Sequence, residues 1–409
     1  MTAGLVIIGA SYAGVQIAAS ARDLGFAEPI LLLGDEPHLP YQKPPLSKGY
    51  LTGKVGEAAL PLRGEVFFQE NRVEFAGGRR VEAIDLAARR IRVNGDRSYG
   101  FAKLAFATGS RPRSLPIPGA GLPGVHMLRS LDDARALRAA MAAARRVVVI
   151  GGGYIGLEIA ASLIGAGLSV TLLEASDQLL ARVATRPLAG YLAQQHAARG
   201  VAQRLGVSAR AILGESAVRA VECTDGALLP ADLVVVGIGA MPNGEIAASA
   251  GLPCRNGAVL VDARARTAVS SIVAAGDCAC VERDGGLVRL ESVQNANDQG
   301  RAAAAALVGH PASDAPVPWF WSDQYDLKLQ TAGLAAGFEE VAVRGSMERG
   351  RFGLYYFKAG RLIAVDTVNR PADHLLARRL IAQRTALTPA QASDESIELR
   401  ALLDRPTGS

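Results

Sequence analysis

The sequence predicts an α/β protein made of two doubly wound halves and a third, α+β domain at the C-terminal end. Three observations predict it. The chain opens with a strand, a glycine-rich turn, a helix, a second strand and an acid. The same order returns 142 positions later, and three further apolar strands each end in glycine.

In the first copy, Leu5–Ile8 reads as a strand leading into Gly9-Ala10-Ser11-Tyr12-Ala13-Gly14. A helical pattern follows from Val15 towards Leu24, then the strand Pro29–Leu33, then Asp35 and Glu36. The second copy runs Val147–Ile150, Gly151-Gly152-Gly153-Tyr154-Ile155-Gly156, a helix from Leu157 to Ile164, the strand Leu168–Leu173 and Glu174. This order is the one a dinucleotide requires. The helix N-terminus offers unpaired N–H groups to a pyrophosphate, glycine lets the backbone approach it, and the acid accepts from a ribose hydroxyl. The glycine-to-acid intervals are 26 positions for Gly9 to Asp35 and 23 for Gly151 to Glu174. Ser11 departs from the pattern by standing where the second glycine belongs, so its side chain crowds the pyrophosphate unless the turn shifts or the hydroxyl bonds a phosphate.

Two such units in one chain point to a flavin dinucleotide in one and a nicotinamide dinucleotide in the other. Glu174 repels a 2′-phosphate, and Ala175–Gln178 holds no arginine to bind one, so NADH is expected over NADPH. The other reading of Glu174 is an acid that simply ends a strand at the surface. The further strands are Leu104–Phe106 before Ala107-Thr108-Gly109, Leu233–Val236 before Gly237-Ile238-Gly239, and Ile272–Ala275 before Gly276-Asp277. Their order suggests a flavin-binding half that is interrupted by the nicotinamide unit and then completed.

Composition bounds the alternatives. Of 409 residues, 49% are hydrophobic and 20% charged, the balance of an ordinary globular protein. The net charge of +5 is too small to indicate nucleic acid, though it suits an acidic partner. The four cysteines, Cys223, Cys254, Cys278 and Cys280, form no CxxC pair and no zinc-ligand spacing, so no metal site is expected and the thiols suit a reducing cytoplasm. The N-terminus reads as strand and turn rather than signal peptide, no uncharged run reaches the ~20 residues of a membrane span, and the mixed tail after Gln391 does not read as an amphipathic anchor.

The stretches PYQKPPLSK, LAFATGSRPR, VVVIGGGYIGLEIA, AAGDCA, PWFWSDQYD and AVDTVNRP together resemble the FAD-dependent pyridine-nucleotide oxidoreductases. Within them the chain is similar to the NAD(P)H:ferredoxin reductases, of the putidaredoxin reductase type, that serve bacterial cytochrome P450s and aromatic-ring dioxygenases. The resemblance covers the whole chain. It implies a glutathione-reductase-type fold without the redox disulfide: an FAD domain in two segments, 1–112 and 242–317, an NAD domain at 113–241 and a C-terminal domain at 318–409. It implies FAD contacts at Ala13, Asp35, Lys48, Val81, Arg129, Asp277 and Val293, beside the turn residues Gly9, Ser11, Gly14, Ala107, Thr108 and Gly109. The NAD set is Gly151, Gly153, Tyr154, Ile155, Gly156, Glu174 and Gly239.

A disulfide relay needs two thiols near the flavin, and Pro44-Pro45-Leu46-Ser47-Lys48 supplies none. Electrons are therefore expected to leave the flavin directly. The resemblance places Lys48 beside the flavin and close to Glu158, where a buried lysine and a buried glutamate keep each other charged. Both tryptophans lie in Pro318–Gln324, and the resemblance puts Trp321 at the flavin edge facing the acceptor. Basic residues thicken beyond it, at Lys328, Arg344, Arg349, Arg351, Arg361, Arg370, Arg378 and Arg379, and their sign suits steering of an acidic [2Fe–2S] ferredoxin. The expected activity is NADH-dependent ferredoxin reduction feeding a cytochrome P450 or ring-hydroxylating dioxygenase. The alternatives are a rubredoxin reductase and a non-enzymatic flavoprotein like apoptosis-inducing factor. An NADH oxidase, peroxidase or disulfide reductase would need a cysteine near residue 44.

Overall fold

The apolar run at the start of the chain becomes a central strand because both of its faces are covered. In the computed structural model, which describes residues 2–283, 286–311 and 316–403, Leu5 and Ile7 pack with Ile17 and Ala18 of the helix Tyr12–Asp23. Val6 and Ile8 point the other way and pack with Leu104, Phe106 and Ile272. This is the period-2 alternation of a parallel strand buried on both sides. Thr2–Ile8 pairs in parallel with Ile30–Leu33 and with Arg97–Phe106, and Val73–Ala76 extends the sheet beyond Ile30–Leu33. On the other side Arg97–Phe106 continues antiparallel into Arg90–Val93 and Val81–Asp85.

Ile272–Ala274 joins the same sheet, parallel to Arg97–Phe106, although some 170 residues of chain separate them. They belong to one compact unit, Met1–Gln42, Gly56–Arg111 and Ala240–Pro316, so the chain leaves this unit after Arg111 and returns to it at Ala240. The helix Val293–Val308 packs on Tyr12–Asp23 at a glycine: a Cβ on Gly300 would stand 2.9 Å from the Cβ of Gln16 and 3.1 Å from the carbonyl of Ala13.

The second unit comprises Lys43–Val55, Pro112–Gly239 and Val317–Ser409. Its parallel sheet runs in the order Ala202–Leu205, Ser169–Glu174, Arg146–Ile150, Leu233–Val236, Val125–His126, with the helix Tyr154–Gly165 packed through Leu157, Ala160 and Leu163. A five-stranded antiparallel sheet follows in the order Trp319–Gln324, Leu327–Gly333, Arg361–Val368, Arg351–Lys358, Glu340–Ser346. One face of it, with Phe352, Leu354 and Tyr356, shares a core with Leu157, Tyr191 and Leu192; the other, with Tyr355 and Phe357, packs on Leu380 of the helix Pro371–Ala382.

Both glycine-turn helices begin three residues earlier than their apolar periodicity indicates, at Tyr12 rather than Val15 and at Tyr154 rather than Leu157. The third glycine of each turn sits inside the first helical turn because the first glycine's carbonyl lies too close for a side chain. A Cβ at Gly14 would fall 2.0 Å from the carbonyl oxygen of Gly9, and one at Gly156 falls 2.0 Å from that of Gly151. Apolar periodicity cannot report a helix start built from glycine and polar contacts.

Asp366 lies buried in the C-terminal sheet, where the Tyr356 hydroxyl donates to its Oδ2 at 2.8 Å and Thr185 Oγ1 is 2.8 Å from that same hydroxyl. Burial pushes the Asp366 carboxyl up to about 7. The folded chain thus holds a proton that the unfolded chain gives up above roughly pH 4, so this group lowers stability as pH rises from about 4 to about 7, with the penalty complete above that. Asp366→Asn should therefore raise the melting temperature relative to the parent at pH 8 and leave it nearly unchanged at pH 4, measured by thermal denaturation at both values.

Candidate functional site

In the first unit the ends of three neighbouring strands meet. Gly9 adopts φ +112°, and a Cβ there would lie 2.0 Å from the carbonyl oxygen of Ala107. Thr108 donates its hydroxyl to the Asn243 carbonyl at 2.5 Å, and its own carbonyl accepts from Asn243 Nδ2 at 2.9 Å, while Gly109 turns at φ +65°. Gly276 brings Asp277 round beside them: a Cβ on Gly276 would be 3.1 Å from that of Ala13, and Asp277 accepts from Ser110 Oγ at 2.8 Å. Gly9, Ala13, Gly14, Ala107, Thr108, Gly109 and Asp277 thus gather at the carboxyl ends of adjacent parallel strands, where open α/β sheets bind ligands.

The helix that opens there, Tyr12–Asp23, has no side-chain cap and no acid in its first turn; Ser11 stands at its N-cap without bonding to it. The helices at Leu131 and Val293 are capped by Ser130 and Ser292. An uncapped N-terminus beside a glycine turn leaves its amides to an anion. Asp35, exposed after the next strand, accepts only the neighbouring Glu36 amide at 3.1 Å among the bonds resolved to it. Val81 stands on the hairpin strand Val81–Asp85, and Val293 begins the Ser292-capped helix.

The second unit repeats the turn. Gly151 has φ +111° with a Cβ position 2.4 Å from the Gly237 carbonyl, and Gly153 has open space around it. The helix Tyr154–Gly165 again lacks a side-chain cap or an early acid. Glu174 is not a loose surface acid: Oε2 accepts from the Gly152 amide at 2.7 Å and Oε1 from the Ser176 amide at 2.8 Å, fixing it beside the turn. Ile155 is exposed, and Tyr154 stacks on Phe320 with ring centroids 4.6 Å apart, its hydroxyl held protonated by burial. Sequence reasoning missed Arg182, which lies just past the segment inspected for arginines; a Cβ at Gly239 would be 2.8 Å from its guanidinium.

On the helix that this turn opens sits Glu158, 3% exposed. Its Oε2 takes Lys48 Nζ at 2.6 Å and Ser47 Oγ at 2.6 Å, and its Oε1 takes Ser322 Oγ at 2.7 Å. Pro44–Ser47 forms a tight 3-10 turn pinned by Ser162, which donates to the Ser47 carbonyl at 2.7 Å, and Lys48 follows as its cap. Lys48 and Glu158, 110 positions apart, are thus brought together, with Ser47 and Ser322 as partners that the sequence reading did not single out. The polar pair Ser322 and Gln324, two apart in an aromatic strand, was the available signal, since period 2 puts both on one face.

Arg129 precedes the Ser130-capped helix and its backbone amide donates to Asp133 at 3.0 Å. Trp321 lies 5.6 Å from Trp319, ring to ring. The basic scatter of the C-terminal third needs correction. Arg344 is a buried strut that donates to the carbonyls of Ala392, Asp394 and Ile397; Arg370 pairs with Asp373 and Glu395, and Arg378 stacks on Trp319. Lys328, Arg349, Arg351, Arg361 and Arg379 remain exposed. The residues 404–409 of the tail lie outside the described residues.

All four cysteines are free and none lies in Lys43–Val55; burial pushes the thiols of Cys223, Cys254, Cys278 and Cys280 up, away from the thiolate. No group of metal-ligating side chains is found among the described residues, and no helix among them is long and apolar enough to cross a membrane.

Two dinucleotide turns, one with an ion pair on its helix, define an oxidoreductase that couples a flavin to a nicotinamide. The chain belongs to the pyridine nucleotide-disulphide oxidoreductase family, matched over residues 3–300, with a reductase C-terminal domain over residues 319–403. It is 44% identical to rhodocoxin reductase of Rhodococcus erythropolis over 404 residues, 98% of this chain and 94% of that one. Among solved structures it resembles the ferredoxin reductase for the CYP199A2 system from Rhodopseudomonas palustris, at TM-score 0.94 and 43% identity over 97% of this chain and 99% of that one. The reductase of the covalent putidaredoxin reductase–putidaredoxin complex is matched at TM-score 0.94 and 38% identity, over 98% and 97%. The cofactors of the family are FAD and NAD(P)H, and both uncapped turns fit a pyrophosphate.

Proposed function

We propose that this chain is a cytoplasmic, NADH-dependent ferredoxin reductase that passes single electrons to a [2Fe–2S] ferredoxin, which feeds a cytochrome P450 or a ring-hydroxylating oxygenase. The observation that carries this reading is the ion pair of half-buried Lys48 with Glu158, which is buried on the helix opened by the second glycine turn, in a chain without a thiol pair.

When bound, FAD supplies hydride acceptance from nicotinamide and one-electron release. The protein's own contribution is placement and charge. Gly9 and Gly14 with Ser11 would hold the FAD pyrophosphate, with Arg129 a second partner for it, Asp35 the ribose and Asp277 the sugar-alcohol chain. Ala107, Thr108, Gly109, Val81 and Val293 would line that cofactor. Gly151, Gly153 and Gly156 would hold the NADH pyrophosphate, and Tyr154, Ile155 and Gly239 would line it. Glu158, paired with Lys48 and bonded by two hydroxyls, would hold an ammonium group for the flavin, which gains negative charge when it is reduced. Trp321 would close the flavin edge towards the acceptor. In this reading the division into an FAD domain, an NAD domain and a C-terminal domain assigns cofactor holding to the first two and partner contact to the third.

Glu174 sets the nicotinamide choice. Its carboxylate, fixed by two backbone amides, accepts a 2′-hydroxyl and repels a 2′-phosphate. Glu174→Ala should raise KM for NADH about tenfold and narrow the kcat/KM preference over NADPH, read in steady-state kinetics with each.

The test of the function is reconstitution: the purified yellow protein, NADH and a [2Fe–2S] ferredoxin, followed by the visible spectrum of the carrier. Ferredoxin reduction that depends on the protein supports the proposal; NADH oxidation that reduces only disulfides or oxygen refutes it.

A further inference from the structure

The Glu158 carboxylate is also the inner end of a buried polar chain. Ser322 donates to its Oε1 at 2.7 Å, Gln324 Nε2 lies 3.1 Å from Ser322 Oγ, Gln324 Oε1 is 2.8 Å from His196 Nε2, and His196 Nδ1 is 3.0 Å from the Tyr325 hydroxyl. Ser322 and His196 are 0% exposed and Gln324 1%. The chain has one consistent set of protons. A carboxylate only accepts, so Ser322 must donate to it and accept from the Gln324 amide group. Gln324 then faces His196 with its oxygen, so His196 carries its proton on Nε2. Its Nδ1 is left to accept, and Tyr325 must donate.

The groups around His196 favour that neutral form. Burial lowers its basicity and outweighs the bond to Gln324, which favours the charged ring, and the Arg199 guanidinium, 4.7 Å over the Tyr325 ring and paired with Asp326, adds positive charge close by. Tyr325 occupies the turn between two strands at φ +57°, a left-handed conformation rare for an aromatic residue, which the hydroxyl-to-imidazole bond helps to hold.

We infer that Ser322, Gln324, His196 and Tyr325 are positioning residues for the Lys48–Glu158 pair: a chain of hydrogen bonds, every donor aimed inward, that fixes the Glu158 carboxylate and through it the Lys48 ammonium. The inference rests on the reading that this pair serves hydride transfer. A carboxylate with both oxygens occupied cannot rotate, whereas one freed at Oε1 can turn and carry Lys48 with it, and small displacements cost catalysis heavily.

Two measurements test it. In the nitrogen NMR spectrum of histidine-labelled protein, with the His196 signal assigned by its loss in His196→Gln, the ring should be neutral and protonated at Nε2 at pH 7. In Ser322→Ala, Gln324 can turn over, and the signal should shift towards the Nδ1-protonated form. A parent His196 that is charged or Nδ1-protonated, or a signal unmoved by Ser322→Ala, overturns the chain. In stopped-flow reduction by NADH, Ser322→Ala should lower the limiting rate about tenfold with little change in NADH affinity, and Ser322→Thr should restore it. A normal limiting rate in Ser322→Ala beside a slowed Lys48→Met refutes the positioning role alone. A normal rate in Lys48→Met instead overturns the reading of the pair, and the tautomer result still decides whether the chain exists.

Discussion

Replacing Lys48 with methionine is expected to slow reduction of the bound flavin by NADH about a hundredfold or more, the usual loss when one preorganised charge is removed from a developing anion. Methionine keeps much of the length and apolar volume of the stem, so the change isolates the ammonium group. The same substitution leaves the Glu158 carboxylate, 3% exposed, with two hydroxyls and no cation. Breaking a buried pair from one side costs about 3–5 kcal/mol, so the melting temperature should fall as well. The two effects separate in the double variant Lys48→Met/Glu158→Gln. A neutral amide needs no counter-ion, its oxygen accepting from one of Ser47 and Ser322 while its NH2 donates to the other, so stability should largely return while the rate does not. A double variant that regains the rate would show that charge balance, rather than the ammonium, is what the site needs.

Gly9→Ala and Gly151→Ala should each remove one cofactor. Both glycines hold φ near +110°, and an added Cβ would meet a carbonyl oxygen at 2.0 Å and 2.4 Å respectively. Neither obstacle can move cheaply, because each is backbone directly following an adjacent strand of the same sheet. Gly9→Ala is expected to purify colourless or to lose FAD on dilution. Gly151→Ala should keep its yellow colour and lose NADH affinity by about a hundredfold, as judged by the concentration dependence of stopped-flow reduction. Loss of the flavin in the second variant and its retention in the first would reverse the assignment of the two turns.

The turns were legible because their signal is local. A strand, a glycine with positive φ and a helix start lie within ten residues, and no distant contact is needed to see them. Lys48 and Glu158 were legible only through family resemblance, since a separation of 110 positions carries no spacing rule. Ser47 and His196 were not legible at all, and Ser322 only as half of a polar pair in an aromatic strand: serine and histidine are common, and only tertiary packing shows that the two serines bond one carboxylate and that His196 joins it through Gln324. The same limit misread Arg344, whose charge suggested a steering surface. Its three carbonyl partners lie about 50 residues onward in the C-terminal segment, a contact that no composition reveals.

The central claim is that electrons from NADH leave the flavin singly, with no sulfur between flavin and partner. Anaerobic titration with NADH, followed by addition of a [2Fe–2S] ferredoxin, tests it most directly. A flavin alone stores one electron pair, whereas a flavin with a redox disulfide stores two. Full bleaching of the flavin at about one equivalent of NADH, followed by delivery to about two equivalents of ferredoxin, is the expected result. Uptake of about two equivalents of NADH per flavin, or a bleached protein that leaves the ferredoxin oxidised, would contradict it.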